Sequence, residues 1–166
     1  MKSLVIYFSR PGNNWAVGYI EKGNTEVIAE YIAEFTGAEL FKCEPLKPYS
    51  EDYMKCTEEA MAYKKQDARP ALIHYLDDIS DYDVIYIGGP IYWGELPYDV
   101  YTELDRLDFS GKTVKPFATH EGSGLASVEA VLKKKCKGAN VKKGLAIQGS
   151  SVNSDFAKKQ VKNWVE

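Results

Sequence analysis

Leu4-Val5-Ile6-Tyr7-Phe8 is apolar at five successive positions, and Val84-Ile85-Tyr86-Ile87 at four. A strand with one wet face alternates apolar and polar residues. An unbroken run describes a strand covered on both faces, as in a parallel sheet between helix layers. The segments around these runs have the helical period instead. After Asn24, Val27, Ile28, Tyr31, Ile32 and Phe35 share one face, with Asn24 as the expected N-cap and Gly37 as the stop. Residues 38–43 read as a short strand. Ser50 is the expected cap of a second helix carrying Tyr53, Thr57, Ala60, Met61 and Lys64, which ends before Pro70.

Pro97 suits the first turn of a third helix, whose inner stripe is Val100, Leu104 and Leu107. Residues 113–118 form the next strand. From Ser123, Leu125, Val128, Val131 and Leu132 mark a fourth helix. Residues 144–148 are the last strand, and Phe156, Val161 and Trp164 line the last helix. Strands and helices therefore alternate along the chain, which requires parallel pairing through right-handed crossovers. The expected architecture is α/β: a three-layer, doubly wound, five-stranded parallel sheet in a single domain spanning 1–166. One connection breaks the pattern. Residues 11–23, between the first strand and the first helix, exceed the roughly two to six residues usual for such loops. This insertion holds Trp15 and Tyr19, so it is expected to pack onto something.

Charge and cysteines narrow the function. A net charge of -3 offers no basic surface for nucleic acid or an anionic membrane. Cys43, Cys56 and Cys136 form no Cys-x-x-Cys or Cys/His cluster. That spacing excludes a zinc or dithiol motif and fits a reducing compartment. The apolar run near the amino terminus is too short for a leader or a membrane span. A cytoplasmic location is expected, and no metal.

In an open parallel sheet, ligands bind beyond the carboxyl ends of the strands, where three loops should meet. The first carries Ser9 and Arg10, then the insertion, then Gly23-Asn24-Thr25 opening a helix. Backbone N–H groups at a helix start, with hydroxyls and an amide nearby, suit a phosphate. Capping alone would explain Asn24 and Thr25 equally well. The second loop is Pro90-Ile91-Tyr92-Trp93-Gly94. Its two adjacent aromatics sit on a turn and offer flat faces to a planar ligand. The third is Thr119-His120-Glu121-Gly122-Ser123, whose small residues expose N–H groups toward a polar ring edge. Ser123 would also serve as a helix cap, and His120 is either a proton donor or an ordinary loop histidine.

Taken in order, these three loops resemble the flavodoxins over nearly the whole chain. The resemblance implies strand order 2-1-3-4-5 and one bound FMN. Ser9, Arg10, Gly23, Asn24 and Thr25 would hold its phosphate. Pro90, Ile91, Tyr92, Trp93 and Gly94 would form the isoalloxazine loop, with Tyr92 and Trp93 flanking the ring. Thr119, His120, Glu121, Gly122 and Ser123 would meet its pyrimidine edge. The chain departs from the family in the insertion, in Arg10, and in Glu26, whose charge would repel a nearby phosphate.

Other phosphate-binding folds lack their residues here. There is no G-x-x-x-x-G-K-[ST], no G-x-G-x-x-G after the first strand, and Gly88-Gly89 stands where a receiver domain needs Asp. Three flavin functions remain open. One is a carrier passing electrons between protein partners. Another is a quinone-type oxidoreductase taking hydride from NAD(P)H to a small acceptor. The third is a non-enzymatic, FMN-dependent regulatory module. A strongly acidic surface would favour the carrier, and this chain has none. No catalytic acid or base is expected, since the flavin carries the chemistry.

Overall fold

The computed structural model describes residues 2–166. The chain runs β1 (Ser3–Tyr7), β2 (Gly12–Asn14), β3 (Gly18–Ile20), α1 (Asn24–Thr36), β4 (Glu39–Lys42), α2 (Tyr53–Gln66) and β5 (Val84–Pro90). It continues through α3 (Tyr98–Leu104), β6 (Thr113–His120), α4 (Val128–Lys135), β7 (Asn140–Val141), β8 (Leu145–Gln148) and α5 (Asp155–Val165). The main sheet is ordered β4-β1-β5-β6, and β7 and β8 share the next position beside β6. All of these pairs are parallel. Counting only sheet positions, this is the 2-1-3-4-5 order.

The unbroken apolar runs are explained by two cores, one on each face of the sheet. Leu4, Ile6 and Phe8 point to one side, with Ile85 and Ile87, against Val100, Tyr101 and Leu104 of α3 and Val128 and Leu132 of α4. Val5 and Tyr7 point to the other side, with Tyr86, against Ile28, Ala29 and Ile32 of α1 and Ala157 and Val161 of α5. Each such buried side chain contributes roughly 1.5–3 kcal/mol, so both faces must stay apolar and no alternation is left to read. Phe156 faces water instead of lining α5; Trp164 reaches the core edge-on against Tyr86 and Phe117.

Several local readings are corrected. The insertion is a β-hairpin, with β2 and β3 antiparallel and the Asn14 amide donating to the carbonyls of Arg10 and Gly12. Gly23, not Asn24, holds the N-cap position of α1, and its side-chain-free cap makes no bond of its own. Ser9 does that task from across the loop, its Oγ accepting from the Glu26 N–H. Asp52 caps α2 by accepting from the Lys55 N–H, while the Ser50 carbonyl is taken by Arg10. α4 begins at Val128, after a run of turns through 124–127, so Ser123 is not its cap. β7 is a further short strand, legible only through its pairing with Thr113 and Val114.

Candidate functional site

The carboxyl ends of β1, β5, β6 and β8 open into a cleft of about 430 Å³. Of the residues expected at a ligand site, Arg10, Asn24, Pro90, Ile91, Tyr92, Trp93, Thr119, His120, Glu121 and Ser123 line it. Ser9, Gly23, Thr25, Gly94 and Gly122 are not among the residues that line it.

The first loop is built by close approach. A Cβ on Gly23 would overlap Ser9 Oγ and fall 2.9 Å from the Arg10 nitrogen, so only glycine lets the helix start lie against the end of β1. Because Gly23 has no side chain to cap the helix and Ser9 Oγ takes only the Glu26 N–H, the N–H groups of Asn24 and Thr25 are left for an incoming acceptor. Glu26 does not face it: its carboxylate takes the Tyr7 hydroxyl at 3.2 Å and the Lys42 ammonium at 3.3 Å. The repulsion expected from the sequence is thereby turned away from the cleft. Burial, with Glu26 beside it, pushes the Tyr7 hydroxyl up from its ordinary pKa. Arg10 is buried and committed to backbone. Its guanidinium donates to the carbonyls of Asn13, Ser50 and Glu51, tying the hairpin to the segment before α2. With those donors in use, Arg10 offers an anion mainly its charge.

In the second loop the two aromatics part company. Tyr92 packs edge-on against Phe8 and Tyr49 at 5.8 and 5.9 Å, with its hydroxyl buried. It is therefore partly a core residue, and only one of its faces is left for the cleft. Trp93 is 47% exposed, and its indole N–H donates to the Thr57 carbonyl at 2.9 Å. Trp93 and Gly94 both have left-handed backbone, φ +54° and +89°, in a two-residue turn closed by Tyr92 and Glu95. Glycine suits the second position; tryptophan adopts the first only under restraint.

In the third loop, the Thr119 and Thr25 hydroxyls meet at 2.7 Å, and His120 Nδ1 accepts from the Gly122 N–H at 2.9 Å. Glu121 Oε1 is buried with no partner among the described residues. A fourth loop, unnoticed in the sequence, completes the rim: Gly149 follows β8 and lines the cleft. A Cβ there would overlap Asn24 Nδ2 and fall 2.5 Å from Glu121 Oε1. These two polar side chains converge from opposite sides on the space a glycine leaves open.

Sequence reasoning also missed one whole wall. Tyr53, Met54, Cys56, Thr57 and Ala60 of α2 line the cleft, beside Asn14 and Trp15 of the hairpin, whose packing onto other structure the sequence does predict. The signal was present: Tyr53, Thr57, Ala60 and Lys64 recur at helical spacing, but that stripe reads as an ordinary core face. Trp15 leans over Tyr53, ring centroids 5.9 Å apart. Beneath this wall Asp99 is fully buried and accepts the Tyr49 hydroxyl at 2.6 Å. Burial raises its carboxyl from 3.8 to about 6. Cys43, Cys56 and Cys136 are all buried and unpaired, and burial pushes their thiols up.

The cleft thus joins an anion cradle at a helix start to a flat indole and a polar, small-residue edge. It suits a ligand with a phosphate at one end and a planar ring at the other, on a doubly wound sheet. Residues 2–166 match the family described as Flavodoxin, and the chain belongs to that family. No curated protein sequence matches the chain. Among solved structures, a candidate flavoprotein from Bacteroides uniformis is 32% identical, with TM-score 0.75, over 99% of this chain and 97% of its own. One from Bacteroides eggerthii is 30% identical, with TM-score 0.78, over 99% and 95%. A flavoprotein in complex with FMN from Lactobacillus acidophilus, 24% identical with TM-score 0.67 over 92% and 96%, shares the fold.

FMN, the cofactor of the flavodoxins, fits these residues. The first-turn N–H groups of Asn24 and Thr25 match its phosphate, Asn24, Glu121 and Gly149 leave polar space, and Trp93 provides an aromatic face.

Proposed function

We propose that this protein is a single-domain, FMN-binding redox flavoprotein that passes electrons to a partner protein or to a small acceptor. One observation carries the reading: Asn24, at the start of α1 where Ser9 takes only the Glu26 N–H, and the exposed indole of Trp93 line the same cleft. Bound FMN would supply one- and two-electron chemistry. The chain's own residues hold and shield it. The N–H groups of Asn24 and Thr25, with Ser9 behind them, hold the phosphate. Trp93 covers a ring face and excludes water. The third loop, 119–123, meets the polar edge. Arg10 acts indirectly, by fixing the hairpin beside the cleft.

Reduction of a small planar acceptor is favoured over carriage by the rim of the cleft. Trp15 and Met54 are 64% and 62% exposed there, from two different elements, and Tyr53 lies between them in sequence and at the rim. Such a surface suits an apolar ring better than a charged protein. Among the described residues no helix is long and apolar enough to cross a membrane. Free buried cysteines support a cytoplasmic setting.

Purification tests the reading directly. A stoichiometric flavin spectrum, with FMN and not FAD on release, is the expected result. NADH or NADPH oxidation that accelerates with a quinone identifies the reductase. Flavin that is reduced only through a protein donor identifies the carrier, and failure to bind FMN overturns both.

A further inference from the structure

The Trp93–Gly94 turn is held in an unfavourable backbone by bonds from outside its own loop. The Lys64 ammonium, in the last turn of α2, donates to the Trp93 carbonyl at 2.6 Å. The Gly94 carbonyl accepts from both the N–H and the hydroxyl of Ser127, at 3.0 and 2.6 Å. The Trp93 indole N–H is held by Thr57. Lys64 is itself held: its ammonium lies 3.5 Å from Glu95 Oε2. The Glu95 carboxylate is fixed in turn by the Tyr101 hydroxyl at 2.7 Å and the Tyr98 hydroxyl at 3.3 Å. A lysine at the end of a helix ordinarily rests near that helix's own last carbonyls. This one reaches instead to a carbonyl on the aromatic loop of the cleft. A residue with a Cβ persists in the left-handed region only where its surroundings over-determine it. Here two neighbouring side chains, Lys64 and Ser127, and the helix carbonyl of Thr57 do so.

We propose that Lys64 is a positioning residue: its ammonium, braced by Glu95, pins the Trp93–Gly94 peptide with its carbonyl toward α2 and so sets the two reduction potentials of FMN bound in the cleft. The inference rests on the FMN reading above and adds a control that the cofactor-lining residues do not supply. A peptide is a dipole, and one free to turn presents whichever end suits the charge or proton on its neighbour. A pinned peptide presents the same end throughout. Lys64 is also a cation close to the ring loop, and a cation favours added negative charge. Removing it should therefore have two separable effects. The freed peptide adapts to the first electron, raising that midpoint. The lost cation makes the second electron harder to add, lowering that one.

The experiment compares wild type, Lys64→Met and Lys64→Arg. Potentiometric titration of the FMN-loaded proteins reads both one-electron midpoints, and fluorescence titration reads FMN affinity. In Lys64→Met the midpoints should move apart by about 59 mV, a tenfold change in equilibrium constant for one electron. FMN affinity should change less than threefold. Lys64→Arg, which keeps a donor and a charge, should restore most of the wild-type separation. Hydrogen exchange in the apoprotein gives an independent reading: in Lys64→Met the Trp93 indole N–H and the Glu95 amide should exchange at least tenfold faster. Unchanged midpoints with FMN bound normally would overturn the proposal, as would a loss of affinity with unchanged midpoints. A wild type that binds no FMN would overturn the parent reading instead. Exchange in the apoprotein would then still decide whether Lys64 pins the turn.

Discussion

The hydroxyls of Thr25 and Thr119 lie 2.7 Å apart in a buried contact that joins the start of α1 to the end of β6 across 94 positions of sequence. The first and third loops of the cleft therefore share one hydrogen bond. Thr25→Val leaves the Thr119 hydroxyl buried and unpaired, which costs about 1–3 kcal/mol. Thr25→Val with Thr119→Val removes both partners and should recover a good part of that loss. Urea unfolding of the two single variants and the double variant checks it. Strictly additive losses would mean that the hydroxyls do not interact in solution.

Asp99 should make stability depend on pH in a defined window. Its carboxyl is raised by burial from 3.8 to about 6, against the opposing pull of the Tyr49 hydrogen bond. Between those values the folded protein keeps a proton that the unfolded chain has released. The contribution is full below 3.8, falls as the pH climbs toward 6 and is gone above it, a loss of order 3 kcal/mol by linkage. Asp99→Asn keeps the shape and an oxygen for Tyr49, and cannot ionise. It should match wild type near pH 4 and exceed it by about 3 kcal/mol at pH 7. Parallel stability profiles for the two proteins would show that Asp99 ionises without cost.

Gly23 tests the anion cradle. A Cβ there has no room beside Ser9 and Arg10, so Gly23→Ala must push the start of α1 off the end of β1. FMN affinity should fall by roughly tenfold or more, as expected when charge-assisted bonds are lost. Riboflavin, which has no phosphate, should lose much less. Paired fluorescence titrations decide it, and an equal loss for both ligands would place the phosphate elsewhere.

The hairpin β2–β3 is held to the body by Arg10 and by the contact of Trp15 with Tyr53. Replacing residues 13–22 by a short glycine linker should leave the fold intact, because neither core includes the hairpin. FMN release should quicken, or the range of acceptors change. Stopped-flow release and a panel of quinones measure this. Wild-type values in both would make the hairpin irrelevant to the cleft.

Gly94 has φ +89° and open space around its Cα. Gly94→Ala should therefore cost about 1 kcal/mol through backbone strain alone, with no clash. Thermal unfolding reads the loss, and an unchanged midpoint of unfolding would show that the turn relaxes without cost.

Much was settled by short-range rules acting on the sequence alone. Strand and helix alternate because apolar runs and helical stripes alternate, and burial on both sheet faces demands those patterns wherever the chain goes. The Gly37 stop is of the same kind: its φ of +74° is a conformation that glycine adopts at little cost, and its N–H reaches Ala33. The three loops were legible because they follow directly from strand ends. What tertiary structure decided concerns partners far apart in sequence. Ser9 rather than Asn24 satisfies Glu26, Lys42 rather than solvent takes the Glu26 charge, and the distant carbonyls of Ser50 and Glu51 rather than a ligand occupy Arg10. The stripe on α2 could as well have been core; only docking beside the hairpin made it a wall of the cleft. The reach of Lys64 to Trp93 likewise follows from no local pattern, since a side chain's hydrogen-bond partner depends on which backbone the fold brings within about 3 Å.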